Sequence, residues 1–204
     1  MQITIDKKSG IFLIIIVALL AVIMGMGMAR NGDHGSSGMH EMMDSHEKEA
    51  SLQLSGADVM FLQMMIPHHQ QAIDISQLAL SKSKDPELLG LATSIRDGQS
   101  AEIVQMKSWL NAANADLDMG HSMGDTMGGM LTDAELAELK AATGRSFDLL
   151  WLKGMTNHHA GALHMTTMIE DASNAEIKLF GENIVITQTA QNKQMSLMIT
   201  RLKN

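Results

Sequence analysis

An internal repeat constrains the fold of this chain more than any other feature of its sequence. Residues 65–72 (MIPHHQQA) return about 90 positions later as residues 155–162 (MTNHHAGA), so both copies read Met-x-x-His-His-x-x-Ala. Further matching pairs extend the repeat in both directions: Asp58/Asp148, Phe61/Trp151, Leu62/Leu152, Ile95/Ile184, Gln99/Gln188 and Met106/Met195. The duplication therefore covers two helical hairpins.

Capping signals and apolar spacing predict the helices of the first hairpin. A helix over about 56–82 begins after Ser55, with Asp58 three residues later, and its apolar positions recur at three and four. Asp85-Pro86 starts a second helix that runs to about residue 111. Pro67 lies inside the first helix and predicts a kink just before the paired histidines.

The second hairpin is predicted in the same way. Thr132 and Glu135 cap a short helix that Gly144 ends. A long helix follows over about 147–171, and Ser173 caps the last one. Two such hairpins predict an all-α fold, a four-helix bundle over residues 55–204, with hairpin one at 55–111, a linker at 112–131 and hairpin two at 132–204.

The N-terminal part predicts a membrane attachment. Residues 9–29 carry no charge and are strongly apolar, which is typical of a transmembrane helix. Lysines precede this segment, so we expect the N-terminus in the cytoplasm and the body outside it. Residues 1–30 are therefore a signal anchor, or a signal peptide cleaved near Ala29. Residues 31–54 read as a flexible tether rich in Met and His.

Methionine and histidine recur at spacings that suit a soft metal ion. The chain has 20 Met among 204 residues and no Cys. Side chains three or four apart on a helix lie on one face. The helical candidates for metal ligands are Met64, Met65, His68, His69, Met155, His158, His159, His164, Met165 and Met168. The candidates outside the long helices are Met39, His40, Met42, Met43 and His46 in the tether, and Met119, His121, Met123, Met127 and Met130 in the linker.

The donor chemistry indicates copper. Thioether sulfur selects Cu(I), and imidazole binds both Cu(I) and Cu(II). Cu(I) is favoured for a mixed site of this kind, and Cu(II) is acceptable. The alternative is that methionine fills gaps in the core and that the buried histidines are core polar groups satisfied by hydrogen bonds.

Several function classes lack support in the sequence. The formal net charge is −8, with only 15 Lys and Arg, so nucleic acid is not an expected partner. No Glu-x-x-His motif of the di-iron ferritin-like class occurs, and no nucleophile elbow is present. We therefore expect a binding protein and not an enzyme.

The doubled His-His motif, together with Gln-x6-Met on the partner helices, resembles the CopM-like family of bacterial proteins, long catalogued as a domain of unknown function. The resemblance covers about residues 55–204. It implies a ferritin-like four-helix bundle and extracytoplasmic copper binding that helps tolerate copper. The ligands it implies are Met65, His68, His69, Met155, His158, His159 and Met165. Ile75 stands where many members have Met, so a poorer first site is implied.

The leading hypothesis is therefore extracytoplasmic copper binding for buffering, tolerance or delivery. Copper ions are the expected partner, along with other copper-handling proteins and the membrane that holds residues 9–29. A membrane-tethered helical interaction module without metal is the alternative, and a di-iron ferritin-like protein is a weaker one.

Overall fold

The computed structural model describes residues 53–118 and 128–204. Over these residues it contains helices joined by turns and loops, and no strand. Five helices follow one another: α1 (Gly56–Lys82), α2 (Pro86–Ala112), α3 (Asp133–Ala141), α4 (Gly144–Thr166) and α5 (Ala175–Lys203). A 3₁₀ turn over Thr167–Ile169 follows α4. All belong to one unit, Glu49–Asn204. The prediction of an all-α helical bundle is confirmed, and its ferritin-like topology stays a prediction.

The first hairpin begins and ends where its capping residues predict. The hydroxyl of Ser55 accepts a hydrogen bond from the Asp58 N–H at 3.1 Å, and the Asp58 carboxylate accepts one from the Ser55 N–H at 2.7 Å. Asp85 caps α2 through the N–H groups of Glu87 and Leu88. The helix α1 continues through Pro67 as one uninterrupted helix, and the kink there stays a prediction.

The second hairpin corrects three expected boundaries. The helix α3 ends at Ala141, and Gly144 begins α4 with a φ of 55° instead of ending α3. A left-handed φ costs glycine little, and this residue turns the chain into the next helix. The helix α4 stops at Thr166, short of residue 171. Asn174, not Ser173, caps α5, because its amide oxygen reaches the N–H groups of Glu176 and Ile177.

The two hairpins pack through α1 and α4, which run antiparallel. The indole N–H of Trp151 donates to the Ile75 carbonyl at 3.0 Å. Ile75 follows His68 by seven residues and Trp151 precedes His158 by seven. The buried apolar residues form two clusters, one containing Trp151 and Met155 and the other Phe61 and Met65. Along α4, the histidine pair lies between the first cluster, which ends at Met155, and the second, which resumes at Ala162.

The predicted membrane span at 9–29 and residues 31–52 of the predicted tether lie outside the described residues. Within the part that the structure describes, no helix combines the length and apolar character needed to cross a membrane.

Truncating Trp151 tests this packing. The side chain is fully buried and also donates the hydrogen bond to α1. We expect Trp151→Ala to lower the free energy of unfolding by about 3–5 kcal/mol, because a large cavity opens in the first cluster. Urea unfolding followed by helical circular dichroism measures the change. The control is Val104→Ala on the 70% exposed Val104, which should shift stability by less than about 0.5 kcal/mol. An unchanged midpoint for Trp151→Ala would contradict the packing.

Candidate metal centre

Four histidines are fully buried where α1 packs against α4. His68, His69, His158 and His159 all have no exposed surface. The rings of His68 and His158 lie 3.8 Å apart between centroids, at an interplanar angle of 40°. Successive helical residues point about 100° apart, so only one histidine of each pair faces the opposite helix. The two copies of the motif therefore meet through their first histidines.

The second histidine of each pair is held by the adjacent helix of its own hairpin. His69 Nε2 lies 2.7 Å from Glu102 Oε2 on α2, and His159 Nε2 lies 2.7 Å from Gln191 Oε1 on α5. An ionised carboxylate and an amide oxygen can only accept hydrogen bonds. Each Nε2 must therefore carry a hydrogen, and in the neutral form of either ring this leaves the Nδ1 lone pair free.

The last four residues of the linker, 128–131, cross the histidine pair and are called the strap below. The Gly128 carbonyl accepts a hydrogen bond from His68 Nε2 at 3.2 Å. The Gln71 side chain fastens the strap to α1, since it donates to the Leu131 carbonyl at 2.9 Å and accepts from the Leu131 N–H at 2.8 Å. The strap also touches α4 directly, because a β-carbon on Gly161 would overlap the Gly128 carbonyl oxygen.

Several ring nitrogens in this centre have no hydrogen-bond partner among the described residues. They are the Nδ1 atoms of His68, His69 and His159 and both ring nitrogens of His158. A buried polar atom without a partner costs about 1–3 kcal/mol, so native proteins leave few of them. Of the twelve buried side-chain atoms without a partner in the described part of the chain, five belong to these four histidines.

Burial keeps three of these imidazoles, those of His68, His158 and His159, uncharged. Burial, together with the charge that His69 would carry, lowers the pKa of His68 to about 3. Burial lowers the pKa of His159 to about 4, although the hydrogen bond to Gln191 opposes that shift. The pKa of His158 falls well below its usual range for the same reason, and protonated neighbours, His68 first, would lower it further. At neutral pH these three rings therefore present lone pairs and no charge.

The remaining predicted ligands are distributed more widely. Met65 and Met155 are fully buried and Met165 nearly so. Met65 and Met165 belong to the second apolar cluster and Met155 to the first. Half-buried positions are held by Met64, Met130 and Met168, whereas His164 is exposed. The predicted ligands at 39–46 and 119–127 lie outside the described residues.

The sequence-based site lacked the groups that hold the histidines. Glu102 and Gln191 are visible in the sequence only as matching positions of the two copies, and no motif pointed to Gln71 or Gly128. Over the described residues, no group of three or more His, Asp or Glu side chains is placed to hold one metal ion. A metal at this centre would therefore need further donors in addition to imidazole, and methionine sulfur is the donor that the sequence predicts.

Comparison with known proteins identifies a family. The model of the family described as a domain of unknown function (DUF305) matches residues 58–199. A DUF305 protein of Streptomyces coelicolor, described as secreted, is 28% identical with a TM-score of 0.68, over 72% of this chain and 92% of that one. A DUF305 fragment of Deinococcus radiodurans is 29% identical with a TM-score of 0.68, over 72% and 98% of the two chains.

Solved structures of CopM are also similar. CopM in its Cu(II)-bound form is 33% identical with a TM-score of 0.63, over 71% of this chain and 96% of that one. CopM has also been solved in Cu(I)-bound, silver-bound and metal-free forms. Among curated proteins, an uncharacterized protein of Acanthamoeba polyphaga mimivirus is 43% identical over 54 residues, and the match spans only 36% of its length.

The strap makes a prediction about Gly161. Gly161→Ala would force the Gly128 carbonyl away from α4, so we expect a loss of about 1–3 kcal/mol in the free energy of unfolding. The control is Gly98→Ala on α2, where an added β-carbon meets nothing within 4 Å. Alanine should stabilise that exposed helical position by about 0.5–1 kcal/mol. Urea unfolding compares the two variants, and equal midpoints would show that the strap does not press on Gly161.

The buried histidines predict a loss of stability in mild acid. Their pKa is near 6.5 when unfolded, whereas in the folded protein it is about 3 for His68 and about 4 for His159. The unfolded chain therefore binds protons below about pH 6.5 that the folded chain does not. Stability should be fully present above pH 6.5 and fall as the pH drops towards 4.

Urea midpoints at pH 7.5, 6 and 5 measure this effect. The variant His164→Gln, which changes an exposed histidine of α4, should lose as much stability as the wild type over this range. A midpoint that stays constant from pH 7.5 to pH 5 would contradict the burial of neutral rings.

Proposed function

We propose that this chain, which belongs to the DUF305 family, binds copper outside the cytoplasm with the histidines and methionines of its helical bundle. The resemblance to CopM-like proteins is confirmed by the family match and by the CopM structures. CopM itself is bound to Cu(I), Cu(II) or silver in those structures, which supports copper as the metal for this chain.

The observation that carries the proposal is the set of buried imidazoles whose lone pairs no described residue uses. The large majority of buried side-chain polar atoms in native proteins have a hydrogen-bond partner. Here the inner rings, those of His68 and His158, lie 3.8 Å apart at an interplanar angle of 40°. The outer rings, those of His69 and His159, are held through Nε2 alone. Ligand nitrogens in proteins are commonly oriented in this way, by a hydrogen bond at the other ring nitrogen.

The donor set fits copper. The rings are neutral at neutral pH, so a metal ion would not have to displace protons from His68, His158 or His159. Met65 and Met155 are the buried thioethers that stand nearest in sequence on each helix. Imidazole and thioether together accept Cu(I) best and Cu(II) as well, whereas Mg²⁺ prefers carboxylate, carbonyl and water oxygens.

We propose buffering, tolerance or delivery as the role, and not catalysis. The Met- and His-containing segments at 39–46 and 119–130 would capture an arriving ion, and the bundle would hold it. Other copper-handling proteins would supply or receive the ion. The apolar segment at 9–29 would attach the protein to the cytoplasmic membrane with the bundle outside, and the secreted description of the Streptomyces protein supports that side.

The alternatives have less support. A di-iron centre requires clustered carboxylates and histidines, and no such group of three occurs among residues 53–118 and 128–204. A helical module without metal would leave the unpartnered ring nitrogens unexplained.

Metal titration of the full-length protein in detergent tests the proposal. Cu(I) would be titrated anaerobically against a chromogenic chelator, and Cu(II) and Zn²⁺ in parallel. We expect tight Cu(I) binding that weakens in the double variant Met65→Leu/Met155→Leu, because leucine keeps the volume but removes the thioether. The control is Met60→Leu, which changes a 47% exposed methionine outside the predicted ligand set and should bind as the wild type does.

A second variant separates the bundle from the loops. We expect His68→Gln/His158→Gln to weaken copper binding by more than tenfold, because it removes the two rings that meet at the helix crossing. Binding that survives this change in a folded variant would assign the site to the outer histidines, His69 and His159, or to the segments at 39–46 and 119–130. Absence of binding of any of the three ions to the wild type would favour the helical module without metal.

A further inference from the structure

The two copies of the motif differ in charge at the residue that holds the outer histidine. Glu102 in the first copy corresponds to Gln191 in the second. We infer that copper held through His69 prefers the oxidised state, Cu(II), because of the charge on Glu102. Copper held through His159, beside the uncharged Gln191, prefers Cu(I). The inference rests on the copper binding proposed above and deepens it by assigning an oxidation-state preference to each copy.

The hydrogen-bond geometry is the same in both copies, so charge is the main difference. Both outer histidines donate from Nε2 over 2.7 Å, one to a carboxylate oxygen and the other to an amide oxygen. Glu102 is mostly shielded from solvent, with 26% of its side chain exposed. Gln191 is 4% exposed. The two side chains have nearly the same shape, and the first carries a negative charge that the second lacks.

That charge acts on a bound ion in two ways, and both favour the oxidised state. A carboxylate behind the ring makes the opposite nitrogen more basic and hence a stronger ligand for the harder ion. A fixed negative charge inside the protein also stabilises a doubly charged ion more than a singly charged one, because the effective dielectric constant there is lower than in water. An amide supplies neither effect.

The number of buried methionine side chains also differs between the two copies, and the second copy has more of them. The position seven residues after the first histidine is Ile75 in the first copy and Met165 in the second. Both side chains are buried, with 3% and 4% of their surface exposed. The second copy therefore has one more buried thioether on its own helix, on the face that carries His158, and soft donors favour Cu(I). The first copy combines fewer soft donors with a carboxylate.

The variant Glu102→Gln tests the inference, because it removes the charge and keeps an oxygen that accepts from His69. We expect the Cu(II) affinity of the full-length protein to fall by about 10–100-fold and the Cu(I) affinity to change much less. The reduction potential of the bound copper should therefore rise, by about 59 mV for each tenfold change in the ratio of the two dissociation constants.

The reciprocal change is Gln191→Glu, which should raise Cu(II) affinity and lower the potential. The control for Glu102→Gln is Glu182→Gln on α5. It also removes one negative charge, but at an exposed position, and should leave the potential unchanged. If Gln191→Glu does not fold, Glu102→Gln and its control still decide the question.

Nitrogen-15 NMR of the metal-free protein supplies a readout that does not depend on copper. Wild type and Glu102→Gln should both show His69 protonated at Nε2. The nitrogen-15 chemical shifts of the His69 ring should be perturbed less in the variant, because the carboxylate charge is gone. Equal weakening of Cu(I) and Cu(II) binding in Glu102→Gln would overturn the inference and make Glu102 a structural residue. A wild type that binds neither ion would instead refute the proposed function itself.

Discussion

The packing of His68 against His158 buries four imidazoles at one level of the bundle, and burial keeps those of His68, His158 and His159 neutral. Charged rings would repel one another and would lose their hydration, so burial and neutrality depend on each other. The rest of the structure meets this constraint from three sides: α2 and α5 each offer an acceptor to an outer ring, and the strap offers a carbonyl to His68. The ring nitrogens that these acceptors do not use are the ones suited to a metal.

The duplication explains why the centre is nearly symmetric, and later divergence explains where it is not. The chain has one strap, so its contacts with the two copies of the motif differ. One copy binds the strap by hydrogen bonds, and the other provides space for it. Gln71 does the first with two hydrogen bonds, and its counterpart Gly161 does the second by lacking a side chain. Divergence at Glu102 and Gln191 is of another kind, because it changes charge and not shape.

Sequence reasoning predicted the helices well because capping and apolar spacing are local properties. Ser55, Asp85 and Thr132 each cap the helix that they were expected to cap. The errors at Gly144 and Asn174 arose where two neighbouring residues could each serve as the boundary, and a choice of that kind depends on how the chain enters the next helix. The repeat was a non-local signal, and it predicted two hairpins without predicting how they face each other.

The sequence by itself determined the four long helices, the paired histidines and the choice of soft donors, since these follow from residue type and spacing along one chain. The tertiary structure decided which histidine of each pair turns inward, that the inward ones meet, and that a carboxylate stands behind His69 while an amide stands behind His159. Those facts depend on the antiparallel register of α1 and α4, which is set by packing contacts such as that of Trp151 with Ile75 across 76 residues of sequence. Helical periodicity gives the direction of a side chain relative to its own helix, whereas its neighbours depend on how the helices pack.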